Sequence, residues 1–163
     1  MKKYYTLILL AFSIIGNAQI VNIPDANFKS ALTNQICVDL NNDDIIDADV
    51  DLNNDGEIQV IEALAVTNLI ISDYFNNNLP IPVNDITGLE AFTNVTKLTI
   101  NGLSAPSVNL MPLVNLQTLD VKWNSGPLAS INASSLSNLT TITCENNINL
   151  SSFNLSGLSN LLR

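Results

Sequence analysis

The second half of the chain repeats itself, and this restricts the fold more than any other feature. The segments "TNVTKLTI", "VNLQTLDV", "SNLTTITC" and "SNLLR" align on an asparagine (Asn94, Asn115, Asn138, Asn160) followed by an apolar anchor (Val95, Leu116, Leu139, Leu161), with spacings of 21, 23 and 22 residues. Three residues before each anchor stands another apolar residue: Phe92, Leu113, Leu136 and Leu158. Three and five residues after the first three anchors come Leu98 and Ile100, Leu119 and Val121, Ile142 and Cys144. Alternating apolar residues predict a short strand with one buried face. A unit of this length cannot bury that face alone, whereas stacked units share a continuous core.

The pattern resembles the leucine-rich repeat, LxxLxLxxN, with Asn124 and Asn147 at the closing position of the second and third units and Leu103 there in the first. The resemblance implies an α/β fold, a short solenoid with about four strands in one parallel sheet. "AVTNLIIS" (65–72) supplies one more strand, with Leu69 and Ile71 inward, and "DYFNNNLPIPVND" has the polar and proline content of an insertion after it. An ordinary β-rich domain is the alternative; the shared asparagine in all four segments argues against it. Five Asn-x-Ser/Thr matches (Asn94, Asn132, Asn138, Asn149, Asn154) read as by-products of an Asn- and Ser-rich repeat.

Upstream stands "DLNNDGEIQVIE", residues 51–62. Counted from Asp51, positions 1, 3 and 5 are Asp51, Asn53 and Asp55, position 6 is Gly56, position 7 is Glu57 (a backbone carbonyl), position 8 is the apolar Ile58 and position 12 is Glu62. Calcium takes six to eight oxygens, and D-x-[DN]-x-[DN]-G-x5-E supplies them from one loop. An Asx-rich turn accounts for Asn53, Asp55 and Gly56 but not for Ile58 and Glu62. Twelve residues earlier, "DLNNDDIIDADV" repeats the start with Asp39, Asn41 and Asp43, then breaks at Asp44 and Val50; Asp47 or Asp49 would replace the missing ligand of a weaker second site. Closely abutting loops of this kind look more like thrombospondin type 3 calcium repeats than paired EF-hands.

Before these loops, "PDANFKSALTNQI" predicts a helix capped by Asp25, with Phe28, Ala31, Leu32 and Ile36 at helical spacing. "IQVIEALAV" predicts a short helix leading into Leu69. The order "IPDANFKSAL", "DLNNDGEIQVIEA" and "TNVTKL" is similar to a group of secreted bacterial leucine-rich-repeat proteins, whose members often run longer and end in a secretion or anchoring domain. That resemblance implies an extracellular or surface-attached binding role with no common ligand. It divides the chain into a leader (1–18), a helical cap with EF-hand-like loops (19–65) and leucine-rich repeats (66–163), the last incomplete.

The leader rests on Lys2 and Lys3, the apolar run from Thr6 to Gly16, and small residues Gly16 and Ala18 before a cut after Ala18. No later segment is apolar enough to cross a membrane, so a secreted or cell-surface chain is expected. Without the leader, four cations face fifteen acids, a net charge of −11, which excludes nucleic acid as a partner. Nine of those acids lie between Asp39 and Glu62, where they repel one another unless a cation joins them. Cys37 and Cys144 are expected to be unpaired, Cys144 as a buried core thiol.

With no histidine, no GxSxG, no HExxH and no acid–base pair, the chain reads as no enzyme. The expected function is a calcium-stabilised binding or adhesion module for a protein or glycan. Its outward strand positions would be Lys97, Thr99, Asn101, Thr118, Asp120, Lys122, Thr141, Thr143 and Glu145, with Lys122 and Glu145 as cross-strand neighbours and Trp123 as core or contact. The alternatives are an EF-hand-type calcium sensor and a truncated fragment of a larger cell-surface protein. Ending on "SNLLR", the chain is expected to be such a fragment or to self-associate through an open C-terminal repeat.

Overall fold

The computed structural model describes residues 19–41, 43, 45–73 and 82–162. The predicted leader, Asp44 and most of the insertion after β1 lie outside the described residues.

The fold is mixed α/β, with few helices and parallel sheets. Helix α1 (Ala26–Asn34) starts at Asp25, whose Oδ1 accepts the Asn27 and Phe28 N–H groups at 2.8 and 2.9 Å. It buries Phe28, Ala31 and Leu32 and ends at Asn34, so the expected helical Ile36 falls past its end and is exposed. Helix α2 (Val60–Ala65) runs directly into the first strand.

Strands β1 (Asn68–Ser72), β2 (Lys97–Asn101), β4 (Thr118–Lys122) and β6 (Thr141–Glu145) form one parallel sheet in that order. Its register aligns Leu69, Leu98, Leu119 and Ile142 in one inward column and Ile71, Ile100, Val121 and Cys144 in the next. Parallel neighbours need a crossover. Here each crossover after β2 carries a short strand of its own: β3 (Ser107–Asn109), β5 (Ser130–Asn132) and β7 (Ser152–Asn154), which form a second parallel sheet. Val108, Ile131 and Phe153 align as its central column. The sequence reading did not anticipate this sheet. Its signal is the triplet Ser-apolar-Asn recurring at 107, 130 and 152, three residues long and too short for alternation to be noticed.

The apolar pair three residues apart forms the turn that leads into each main strand. Val95, Leu116 and Leu139 donate their N–H to Phe92, Leu113 and Leu136 carbonyls at 3.1, 2.9 and 3.0 Å. The asparagines before the anchors tie one turn of the chain to the previous one. The Nδ2 groups of Asn94, Asn115, Asn138 and Asn160 donate to the carbonyls of Leu64, Thr93, Val114 and Ser137 at 2.8–2.9 Å. Those side chains therefore replace water on carbonyls that no ladder reaches.

Asn124 is fully buried and does the same inside the molecule: its Oδ1 accepts Leu103 N–H at 2.7 Å, and its Nδ2 donates to Lys122 O and Asn147 Oδ1 at 3.0 and 2.7 Å. Leu103, which breaks the asparagine pattern, is buried and serves this bond through its backbone.

The two ends differ. Residues 37–39 run antiparallel along the outer edge of β1, with Ile70 N–H on Cys37 O at 2.8 Å and a bridge between Val38 and Leu69. Phe28, Leu32, Val38, Val50, Ile58 and Val66 then join the sheet in one core. At the far end Ile142, Phe153 and Leu158 are only half-buried, and Cys144 is exposed, not the buried thiol expected, because among the described residues β6 pairs with a strand on its β4 side only. Both cysteines are free. Burial pushes the Cys37 thiol up to about 12, so it stays protonated and inert.

Candidate metal site

Backbone conformation sets the loop from Asp51 to Glu62. Gly56 has φ +81°, and a Cβ there would meet nothing within 4 Å, so the position demands glycine for its conformation and not for space. Asn54 is also left-handed, at φ 58°. Within this curl the side chains fold back on the main chain. Asp51, buried, accepts Asp55 N–H at 3.1 Å on Oδ1 and Gly56 N–H at 2.7 Å on Oδ2. Asn53 Oδ1 accepts Asp55 N–H, and Asp55 Oδ1 accepts Glu57 N–H, both at 2.9 Å. The Glu57 N–H, with smaller help from the Gln59 and Asn53 amides and Lys29, holds the Asp55 carboxyl below its usual range.

The loop closes through Glu62. This buried carboxylate is the third residue of α2, and its Oε2 accepts Gln59 N–H at 2.9 Å, completing a capping box with Gln59. Its Oε1 accepts Asn53 N–H at 3.3 Å, so the last carboxylate of the motif is turned back onto the third residue. Ile58 is fully buried, and its carbonyl accepts Val21 N–H at 2.8 Å, pinning the loop to the N-terminal segment.

Gln59 is the residue that spacing did not single out. It is buried; its Nε2 lies 3.1 and 3.0 Å from the two Asp55 oxygens and 3.5 Å from the Glu57 carbonyl, and its Oε1 accepts Asn53 Nδ2 at 2.8 Å. The acceptors at positions 5 and 7 thus converge on one point, where a neutral N–H donor sits. A cation already lies at the rim, with Lys29 Nζ 2.6 Å from Glu57 Oε1.

No group of three or more Asp, Glu, His or Cys side chains is gathered at metal-holding distance among the described residues. The carboxylates are turned to N–H donors, each oxygen keeping lone-pair capacity beyond those bonds. The donor set is all oxygen, the kind of ligand a hard divalent cation takes.

The upstream loop is looser. Val38 and Ala48 bridge its base, and Asp47 Oδ1 accepts Leu40 N–H at 3.3 Å. Asp39 is buried, with Oδ1 on Asp43 N–H and Oδ2 on Asn68 Nδ2, both at 3.3 Å, which ties the loop to β1. Asn41 Oδ1 accepts Asp43 N–H at 3.0 Å, and Asp43 Oδ1 accepts Ile45 N–H at 2.9 Å. Asp49, the other candidate from spacing for this loop, lies within electrostatic reach of Asp51 and Glu62. Burial first, then those two charges, pushes its carboxyl above the usual range.

On the outer face of the main sheet the register makes Lys122 and Glu145 neighbours, while the Lys122 ion pair goes to Asp120 on its own strand at 2.8 Å. Asn101 Oδ1 and Asp120 Oδ1 on this face are buried without a hydrogen-bond partner. Trp123 follows the strand in a left-handed conformation (φ 57°) and is exposed, a surface residue and not core. No family model, curated protein or solved structure matches the chain.

Proposed function

We propose that the chain is an exported leucine-rich-repeat module for binding or adhesion, stabilised by calcium held in its N-terminal cap. The observation that carries the metal reading is the loop itself: a left-handed Gly56, side chains folded into it from Asp51, Asn53 and Asp55, and Glu62 turned back to close it. Asp51, Asn53, Asp55, the Glu57 carbonyl and Glu62 would hold the ion, with Asp39, Asn41, Asp43 and Asp47 or Asp49 as a weaker second set. Bound calcium supplies positive charge to a segment that carries nine acids. The upstream loop is tied to β1 through Asp39 and the Asp51–Glu62 loop to the N-terminal segment through Val21, so ordering the acidic segment orders the cover over the first strand.

The binding reading rests on the outer sheet face. Its outward positions are polar, with Thr99, Thr118, Thr141 and Thr143 aligned across neighbouring strands, and such hydroxyls suit a glycan or protein partner. A sensor that opens a helix pair fits less well, since α2 has six residues and leads straight into β1.

Calorimetry with calcium tests the metal. At least one ion should bind with Kd in the range of roughly 10⁻⁵ to 10⁻³ M, and Asp55→Ala or Glu62→Ala should abolish the tighter site. Unchanged binding in both variants removes the assignment.

A further inference from the structure

A cavity of about 460 Å³ lies between the turn before β2 and strand β3, with Asp85, Ile86, Leu89 and Glu90 on one wall and Ser107 and Asn109 on the other. None of these residues belongs to the acidic loops or to the main sheet. Two bonds fix the direction in which β3 points its backbone. Leu110 N–H donates to Asn132 O at 2.8 Å and Ser130 N–H to Pro106 O at 3.4 Å, so residues 106, 108 and 110 face β5. In a parallel ladder the alternate residues face the other way, which turns the N–H and C=O groups of Ser107 and Asn109 away from β5. Among the described residues, no other strand pairs with this edge of the second sheet. What lies beside it is a turn and a short 3₁₀ segment, Leu89–Ala91.

The facing wall is acidic, and its own donors are already used. Asp85 Oδ1 accepts the N–H and hydroxyl of Thr87 at 2.8 and 2.7 Å, Glu90 Oε2 accepts Gly88 N–H at 2.8 Å, and Leu89 N–H goes to Ile86 O at 3.0 Å. The second oxygen of each carboxylate remains an acceptor beyond those bonds. Asp85 and Glu90 are exposed, and they are the charged groups of the lining. Buried Ile86 and Leu89 supply the apolar part of the wall. The cavity thus offers main-chain donors and acceptors at alternate residues along one side, and two uncompensated negative charges along the other. An extended peptide answers both, because its main chain pairs with a strand edge while a basic side chain pairs with carboxylates. An anionic ligand meets repulsion there, and a free amine uses the carboxylates but leaves the edge unpaired.

We propose that this groove binds an extended, basic peptide segment of a partner protein, which adds to the outer edge of β3 and sets a lysine or arginine side chain against Asp85 and Glu90. The N–H and C=O groups of Ser107 and Asn109 hold the main chain of the segment. The aliphatic stem of its basic residue lies along Ile86 and Leu89 while the cationic head reaches the two carboxylates.

Fluorescence anisotropy on the full chain in calcium, with a labelled peptide alternating lysine and valine as probe, should show saturable binding. N-methylation of the probe's amides keeps its charge and removes its main-chain donors, and should weaken binding at least about tenfold. Asp85→Asn and Glu90→Gln keep the oxygens that hold Thr87 and Gly88 and remove the charges; combined, they should weaken binding at least about threefold. Asn109→Pro removes an N–H that β5 does not use, at an edge where proline is tolerated, and should also weaken it; the N-methylated probe decides the matter if that variant does not fold. Absence of saturable binding, equal affinity for the N-methylated probe, affinity unchanged in the Asp85→Asn, Glu90→Gln chain, or lysine amide alone binding as tightly as the peptide each overturns the proposal.

Discussion

Asp25 shows how much one side chain can hold in this molecule. One carboxylate oxygen caps α1, and the other accepts the N–H groups of Asn84 and Asp85 at 3.0 and 3.2 Å, tying the helix to the segment before β2. Burial pushes the carboxyl upward, but the four N–H donors outweigh it and leave it below its ordinary 3.8. A depressed folded pKa means stabilisation that is present above the ordinary value and is lost as pH falls through the folded one. Asp25→Ala should cost roughly 1–2 kcal/mol at neutral pH, the loss of a cap. Its melting temperature should also fall less than the parent's between pH 5 and pH 2. A parallel acid profile would assign the loss to packing.

Asn124 and Asn147 make a matched pair for a second test. Asn124→Ala leaves the Leu103 N–H without its acceptor inside the core, at about 1–3 kcal/mol for that group alone. The half-buried Asn147, one repeat further along, should cost less by denaturant titration. Equal losses would mean that burial is not what gives Asn124 its weight.

At the scale of elements, the contact between the N-terminal segment and the turn before β2 is tight. Gly88 has φ +107°, and a Cβ there would lie 2.6 Å from Ile23 Cγ1 and 3.1 Å from Asn22 O. Both the conformation and the space require glycine. Gly88→Ala should therefore destabilise by more than the roughly 1 kcal/mol that a strained left-handed residue costs by itself. Hydrogen exchange should rise first in residues 19–23, and faster exchange confined to β6 would contradict this placement. The main strands and α1 were legible in advance because each presents a long enough period: apolar residues alternating in β1, β2, β4 and β6, and helical spacing after a capping aspartate. The second sheet was not, because three residues with one inward side chain carry no period. Ile36 continues the helical spacing, but the chain leaves the helix at Asn34 to reach the edge of β1.

Across the whole molecule, charge is unevenly placed, with thirteen of the fifteen acids before residue 91. The acidic loops sit beside β1, whose edge residues 37–39 cover, and Glu145 is the only charged residue from 123 to 162. If calcium orders the cap, it adds RT ln(1 + [L]/Kd), about 2.7 kcal/mol at a hundredfold excess over Kd. Chelation should lower the melting temperature and expose residues 19–65 to protease before the strands. An identical melt with and without chelator would leave the loop with no part in folding.

Sequence by itself determined the parallel order of the main strands, their inward columns and the loop's Asp-x-Asn-x-Asp-Gly spacing. These are properties of neighbours along one chain, where period and turn chemistry act directly. Tertiary structure alone decided which oxygens meet. Gln59 enters the loop because α2 begins there and its capping box turns the side chain inward. Asp49 feels the charges of Asp51 and Glu62, and the second of these lies thirteen residues along the chain. Cys144 occupies a core position by period and is exposed by place, since burial requires a neighbouring strand as well as an inward direction. Such encounters depend on the path of distant segments through space, which no local spacing encodes.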